Sequence, residues 1–402
     1  MDINSLENQL SGSLSHRSIT ILGSTGSVGC NTVELIQNNQ KHFSVESLTA
    51  NQNVDLLAKQ ARILKPKTVA LADQNGYDDL KKSLAGTSIK VTAGKNALIE
   101  AAEQPADIVM SSIVGAAGLK PTLAAVKRGA AIGLANKECL VSAGDVFIRE
   151  VKKSDSILLP VDSEHFSIME LTKNLKDSDV KEIIITASGG PFLKKSLNRL
   201  NKVKPKEAAN HPNWKMGKKI SIDSANMMNK FFEIIEACKL FKFNKNKYKI
   251  LIHPQSYVHS IVRFKNGLIK MILYNTDMKI PISNTIYQKN NSFSNKSKID
   301  SKILNKLSFE KVNLKKFPSI KLIKKCFKMG YSTPIIINAS NEVLVSMFLK
   351  QKINFLDIVK TINKILKDKE FNKYAKKKPK TVKDVKLIDK WARLKTTNMC
   401  VI

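Results

Sequence analysis

Between residues 18 and about 160, short apolar runs alternate with stretches of helical spacing. The runs at 18–22, 45–49, 68–71, 108–111, 131–134 and 157–161 are nearly continuous in apolar character, which predicts strands buried on both faces of a parallel sheet and joined by helices. From 162 to about 287 the texture changes: a strand at 182–187, a Gly-Gly-Pro turn, a polar stretch at 211–217, a long helix from about Ala225, then strands at 249–252, 258–264 and 268–273. That order predicts an α+β region. Beyond Pro318 the apolar spacing over 320–329, 335–349 and 355–366 is helical. The expected fold class is therefore α/β, with an N-terminal Rossmann-like parallel sheet, a central α+β catalytic domain and a small C-terminal helical domain. The boundaries read as a disordered leader at 1–16, a nucleotide-binding domain at 17–160, a catalytic domain at 161–288, a linker at 289–317 and the helical domain at 318–402.

Composition narrows the class. The 402 residues are 43% hydrophobic and 25% charged, with 17 Gly and 12 Pro, values of a globular chain. No apolar run approaches the roughly 20 residues that a membrane-spanning helix needs. The 67 Lys and Arg against 34 Asp and Glu give a net charge of +33, which raises a nucleic-acid reading. Only seven of those cations are Arg, whereas phosphate and base recognition favours the bidentate guanidinium. The lysines read as a solvated surface, densest at 376–380, and no nucleic-acid partner is expected. Five cysteines at wide spacing, without a C-x-x-C pair, predict a reducing compartment. The first sixteen residues carry two acids, no Lys or Arg and no long apolar block, so a cytoplasmic protein is expected.

Several motifs carry candidate chemistry. Gly23, Ser24, Thr25, Gly26, Ser27, Val28 and Gly29 follow a strand and open a helix, a setting in which glycines let the backbone approach a pyrophosphate at the helix N-terminus. The second strand ends in Asn51, Gln52 and Asn53, where NAD-selective folds place an acid. A 2′-phosphate would meet no repulsion there, although an ordinary polar turn explains the same residues. Asp162 and Glu164 end an apolar strand, and extended alternation would put both carboxylates on one face, as a hard cation needs. A solvated strand end is the alternative, and a third carboxylate is required to decide. Glu233 can supply it, on a helix with Met227, Phe231, Ile234, Cys238 and Phe241 as core stripe, Ser224 as N-cap, and Asn229 and Lys230 beside the acid. Ser188 with Gly189 and Gly190 forms either an oxyanion cradle or a simple reversal. The segment from His211 through Trp214 and Met216 to Gly217 reads either as a lid or as a loop whose Trp packs inward.

Taken together, GSTGSVG (23–29), SSIVGAAGLKPTLAAV (111–126), LANKECLV (134–141), LLPVDSEH (158–165), ASGGPF (187–192), HPNWKMGKKISIDSANMMNK (211–230) and LIHPQSYVHSIVRF (251–264) resemble the 1-deoxy-D-xylulose 5-phosphate reductoisomerase family. The resemblance continues through Asn338-Ala339-Ser340-Asn341-Glu342. It implies a homodimeric, NADPH-dependent enzyme of non-mevalonate isoprenoid synthesis that uses Mg2+ or Mn2+. Its substrate would be rearranged and then reduced to 2-C-methyl-D-erythritol 4-phosphate.

Carried over by position, the resemblance implies metal ligands at Asp162, Glu164 and Glu233, with Lys230 and His211 also in the catalytic set. Substrate contacts fall on Ser163, Ser188, His211, Trp214, Met216, Ser224, Asn229 and Lys230. Cofactor contacts fall on 23–28, on Asn51, Gln52 and Asn53, on Asn136, Lys137 and Glu138, and on Gly217. The competing readings are another NADP-dependent oxidoreductase acting on a phosphorylated sugar, and a lysine-rich nucleic-acid binder. Many relatives carry a basic residue where this chain has Gln52. Turnover measured with NADPH and with NADH tests the consequence: a preference for NADPH is expected, and equal kcat/KM would remove it.

Overall fold

The computed structural model describes residues 16–214, 216–287 and 301–400. The expected leader, apart from its last residue, and the first part of the expected linker, 289–300, lie outside the described residues. Two compact units are present, one drawing on Met1–Cys139, Phe147–Met169 and Asp277–Lys296, the other on Leu140–Val146, Glu170–Thr276 and Ser297–Ile402.

The first unit is built on a seven-stranded, fully parallel sheet: β1 (Arg17–Leu22), β2 (Phe43–Ala50), β3 (Thr68–Leu71), β4 (Lys90–Ala93), β5 (Ile108–Ser111), β6 (Ala131–Leu134) and β7 (Ile157–Pro160). Its order, β4-β3-β2-β1-β5-β6-β7, reverses direction between β1 and β5. At such a switch point a crevice opens beyond the strand C-termini. Helices α1 (Ser27–Gln37), α2 (Val54–Leu64), α3 (Tyr77–Ser83), α4 (Ala97–Glu103), α5 (Leu119–Lys127), α6 (Lys137–Lys153) and α7 (Ser163–Thr172) follow the strands in turn. The apolar interiors of β1, β2, β3 and β5 form the core, with Ile19, Ile21, Leu48, Val69 and Met110 excluded from solvent. A helix from late in the chain, Lys279–Tyr287, completes this core. Its Tyr287 ring meets Phe43 edge-on at 5.2 Å, and its Ile286 carbonyl accepts from Arg17.

The expected strands of this unit are present to within two residues at each end, and β4 is additional. Its sequence, KVTA, is short, and it sits half-exposed at the sheet edge, so it lacks the apolar run that marks the others. One expectation is corrected. Asp162 and Glu164 do not share the face of an extended segment, because the strand stops at Pro160 and α7 begins at Ser163. Asp162 stands at the helix entrance, its backbone oxygen taking the Phe166 N–H at 2.8 Å. Asp at a helix start is a signal that strand alternation overlooked.

The second unit carries a mixed five-stranded sheet, β8 (Val180–Ala187), β9 (Tyr248–Ile252), β10 (Val258–Phe264), β11 (Ile269–Leu273) and β12 (Glu310–Lys311), in the order β11-β10-β8-β9-β12. β8 and β9 are parallel and β10 antiparallel to β8, so the ends of β8 and β9 and the start of β10 meet at one sheet edge. The helix expected from about Ala225 is α9 (Met228–Leu240), and a helix not expected from the sequence, α8 (Lys218–Ala225), precedes it. Ser224 is therefore inside α8 rather than capping α9, and the break falls at Met227, whose φ of 60° is left-handed. No Gly or Pro marks this break in the sequence. Met227, Phe231, Ile234 and Phe241 are buried as expected, and Asn229, Lys230 and Glu233 are buried with them. Helices α10 (Lys321–Met329), α11 (Thr333–Leu349), α12 (Asp357–Ile365) and α13 (Val382–Cys400) form the helical C-terminal part.

At the glycine turn after β1, a Cβ on Gly29 would stand 2.2 Å from the Gly23 oxygen, whereas one on Gly26 would stand 3.4 Å from that atom. Gly29→Ala is expected to cost about 1–3 kcal/mol in denaturant unfolding and to weaken dinucleotide binding. Gly26→Ala should cost less than about 1 kcal/mol, and equal losses would refute the packing argument.

Candidate functional site

In the first unit the glycine turn occupies the switch point. Gly23 has a φ of 86°, a left-handed conformation that a side chain would strain. Its N–H donates to Thr49 Oγ1 at 2.9 Å, the Ser24 N–H donates to the Thr49 oxygen at 2.8 Å, and the Ser112 hydroxyl donates to the Leu22 oxygen at 2.7 Å. The turn is thus tied to both neighbouring strands, and Gly26 delivers the chain into α1. Thr25, Ser27 and Val28 face outward or partly so around it, whereas Ser24 is buried. A turn of this shape at a helix N-terminus presents backbone amides to an anion.

Two other sets of sequence-selected residues have local structural duties. Asn53 caps α2 by accepting the Leu56 N–H at 3.1 Å, while Asn51 and Gln52 are exposed just before it. Asn136 caps α6 by accepting the Cys139 N–H at 3.0 Å, and it donates to the Gly115 oxygen at 2.9 Å. Lys137 and Glu138 follow in the first turn of α6, both buried. The Lys137 ammonium lies 2.7 Å from Asp162 Oδ2. That pairing spans 25 residues and had no local sequence signal. Ser163 donates to Glu164 in the first turn of α7, so Asp162, Ser163, Glu164 and Lys137 form one polar cluster at the C-terminal end of β7.

In the second unit a second polar cluster gathers at the sheet edge where β8 ends. Gly189 and Gly190 both have positive φ, 81° and 67°, so the Ser188 turn needs glycine twice. A Cβ on Gly190 would stand 2.9 Å from the Ser224 oxygen and 3.0 Å from Ala225 Cα, so the turn lies directly against the end of α8. The next helix, α9, brings Asn229 and Lys230 on its first turn. Asn229 donates to Glu233 Oε1, and the Lys230 ammonium lies 2.7 Å from Glu233 Oε2. Glu233 is wholly buried, and its charge is matched by an ammonium and an amide.

His211 joins the turn to the following segment. Its Nδ1 accepts from the Asn213 N–H at 3.2 Å and the Trp214 N–H at 3.0 Å, which leaves the proton of the neutral ring on Nε2. Nε2 is 2.9 Å from Ser188 Oγ, so the ring donates to that hydroxyl. The Gly190 N–H also donates to Ser188 Oγ, at 3.1 Å. Both lone pairs of the hydroxyl are then occupied, and its own proton is free to be donated onward. Asn213 donates to the Pro254 oxygen and to Ser256 Oγ, both at 2.7 Å. Trp214 meets His259 edge-on at 6.0 Å, and His259 stacks on Tyr274 at 3.8 Å. The segment 211–214 is therefore held by the loop between β9 and β10 and by β10 itself, contacts between residues about forty positions apart that no local pattern announces. Met216 is half-buried, and Gly217 leads into α8.

Burial, reinforced by the Lys230 charge, lowers the His211 pKa to about 4. The unfolded chain, with an ordinary histidine near 6.5, binds more protons than the folded one between these values. The stability this neutral ring contributes is therefore present above about pH 6.5 and lost as pH falls toward 4. An NMR titration of labelled histidine in the free protein should show His211 uncharged down to pH 5. A midpoint near 6.5 would contradict the assignment.

Family models for 1-deoxy-D-xylulose 5-phosphate reductoisomerase match residues 19–144, those for its C-terminal domain match 158–241, and a further C-terminal model of DXP reductoisomerase matches 273–395. The protein of that name from Rhodospirillum centenum is 46% identical over 350 residues, covering 87% of each chain. The Zymomonas mobilis protein is 44% identical over 378 residues, covering 94% of this chain and 96% of its own. Its solved structure in complex with NADPH superposes with a TM-score of 0.88 at 42% identity, over 96% of this chain and 99% of that one. A DOX-P reductoisomerase in complex with NADPH, fosmidomycin and magnesium gives a TM-score of 0.91 at 36% identity, over 96% of this chain and 98% of that one. With matches that run nearly end to end, this chain belongs to the 1-deoxy-D-xylulose 5-phosphate reductoisomerase family.

Proposed function

We propose that the chain converts 1-deoxy-D-xylulose 5-phosphate to 2-C-methyl-D-erythritol 4-phosphate, rearranging the carbon skeleton and reducing the resulting aldehyde with NADPH. The observation that carries this reading is the cluster of anion-binding groups at the β8 edge of the second unit: the Ser188 turn laid against Ser224, with Lys230 buried on the adjoining helix. Membership of the family supplies the reaction, and that cluster supplies a place for the phosphate.

Each residue has a task in this reading. Lys230 offers one ammonium to a phosphate dianion, and Ser188, Ser224 and Asn229 offer neutral donors around it. His211, held neutral, aims the Ser188 hydroxyl rather than competing for charge. Anchoring the phosphate fixes the distant reacting carbons, which converts binding into orientation. Trp214 and Met216 cover the site and exclude water from the reactive aldehyde. The turn at 23–28 receives the dinucleotide pyrophosphate, and a glycine backbone without Cβ atoms fits that group. Asn51, Gln52 and Asn53 are assigned to the adenosine ribose and its phosphate, with Asn136, Lys137, Glu138 and Gly217 as further cofactor contacts.

Asp162, Glu164 and Glu233, with Ser163 at the substrate hydroxyls, are proposed to serve one divalent cation. Their hard carboxylate oxygens fit Mg2+ or Mn2+, and lysine ammonium groups 2.7 Å from Asp162 and from Glu233 balance those negative charges in this structure. When bound, such an ion acts as a Lewis acid on the vicinal oxygens of the substrate.

Two coarser expectations join the reading. A homodimer is supported by β11, an edge strand that exposes Ile269 and Met271. A cytoplasmic location is supported by five widely spaced cysteines that form no disulfide among the described residues.

The test is NADPH oxidation driven by 1-deoxy-D-xylulose 5-phosphate, with and without EDTA, beside Glu233→Gln. EDTA should abolish turnover and added Mg2+ restore it, and Glu233→Gln should lower kcat/KM by roughly a hundredfold or more. Activity indifferent to both would overturn the three-carboxylate assignment, and an unrearranged diol product would favour a simple reductase.

A further inference from the structure

The motif at 338–342 has no part in the site as read so far, yet it lies on the buried face of α11, with Asn338 and Asn341 both excluded from solvent. Asn341 Nδ2 donates to Asp223 Oδ1 at 2.8 Å. A carboxylate has no proton to give, so it is the amide NH2 that must face it. Asp223 is itself buried, on α8 immediately before Ser224, and Lys219 one turn earlier lies 2.9 Å from its other oxygen. The Lys219 ammonium also stands 4.9 Å from the Phe232 ring centroid, on α9. One carboxylate thus ties α8 to α9 through Lys219 and to α11 through Asn341.

This matters because of how α8 and α9 are joined. Their corner turns on a single left-handed residue, Met227, a conformation that a side chain disfavours. The corner is not self-supporting, and it needs braces from outside. Ser319 Oγ donates to the Asn226 oxygen at 2.6 Å from one direction, and Asn341 holds Asp223 from another. Adjacent helical residues project about 100° apart, so a grip on Asp223 leaves the Ser224 side chain on a different face.

We infer that Asn341 is a positioning residue for phosphate binding: by holding Asp223 it sets α8 so that Ser224 lies in register with Ser188 and Lys230. The helical C-terminal part thereby acts on the substrate without touching it. The inference rests on the phosphate assignment proposed above, and it accounts for an Asn on the buried face of α11, where an apolar residue would otherwise pack.

Steady-state kinetics of the full-length enzyme with 1-deoxy-D-xylulose 5-phosphate and NADPH decides it. Asn341→Ala should raise the KM for the phosphorylated substrate about tenfold, the scale of one hydrogen bond to a charged group, with kcat and the KM for NADPH within about twofold of the parent. In a Ser224→Ala background the same change should add little. The exchange variant Asp223→Asn/Asn341→Asp, which returns a donor and an acceptor to the pair, should bring KM back to within about threefold of the parent. Unchanged KM in Asn341→Ala, an effect that falls on kcat, full additivity with Ser224→Ala, or no rescue by the exchange would each overturn the inference. If Asn341→Ala does not fold, the exchange variant carries the test, and failure of both to fold would make the pair a stability element and overturn the inference also. A parent enzyme without turnover would instead overturn the phosphate assignment itself, which separates the two failures.

Discussion

Both proposed anion sites depend on backbone approaching backbone more closely than a Cβ allows. At the first, the Gly29 backbone lies so near Gly23 and Ser24 that α1 can begin directly over the end of β1. At the second, Gly190 lets the turn after β8 rest on the Ser224 and Ala225 backbone. In each case the chain gives up side-chain packing and adopts left-handed φ values, at a cost in unfolded-state entropy. At the first turn, backbone amides at the α1 N-terminus can face an anion; at the second, the Gly190 N–H is bonded to Ser188 Oγ at 3.1 Å, and the turn presents the hydroxyl instead. The sheet supports each turn from below: Thr49 and Ser112 fix the first, and the parallel β8–β9 pair fixes the second, with the His253 N–H donating to the Ala187 oxygen at 2.7 Å.

The charges follow the same division of labour. A net charge of +33 is large, but it is not concentrated in the cluster proposed for the phosphate, where Lys230 is buried beside Glu233. Most lysines instead stand on exposed positions, where each pair is worth little to stability and is screened by salt. Their collective field still attracts a phosphorylated sugar and a dinucleotide from solution, both anionic. The surface surplus therefore bears on encounter, and the buried groups bear on orientation. Lys137 and Lys230 belong to the second category: both are buried, Lys230 neutralises the wholly buried Glu233, and Lys137 pairs with the half-buried Asp162.

Much of the fold was legible because its signals are local. Strands such as 68–71, 108–111 and 131–134 match the structure residue for residue, since burial on both faces leaves an uninterrupted apolar run. β4 escaped because an edge strand needs no such run. The start of α7 escaped because Asp162-Ser163-Glu164 reads equally as strand end or helix cap until Phe166, Ile168 and Leu171 are weighed together. The left-handed break at Met227 has no sequence mark, since tertiary braces at Ser319 and Asn341, about a hundred residues away, hold it. In the site, residue types were readable while partnerships were not: nothing local pairs Lys137 with Asp162, or seats Asn213 on the loop at 254–256.

The tautomer of His211 shows why partnership matters more than residue type. A histidine near a phosphate is ordinarily read as a cation that adds charge to the site. Here two backbone N–H groups occupy Nδ1, and the Lys230 charge together with burial opposes protonation. The ring is left with one useful proton, and it spends its geometry on Ser188. A second full cation in so small a volume would raise the cost of the empty cluster and bind the dianion equally in every state, which tightens binding without favouring the rearrangement. In the proposed site, a neutral ring that orients a hydroxyl would hold the phosphate through directed hydrogen bonds instead, and direction is what a remote anchor must transmit to the reacting carbons.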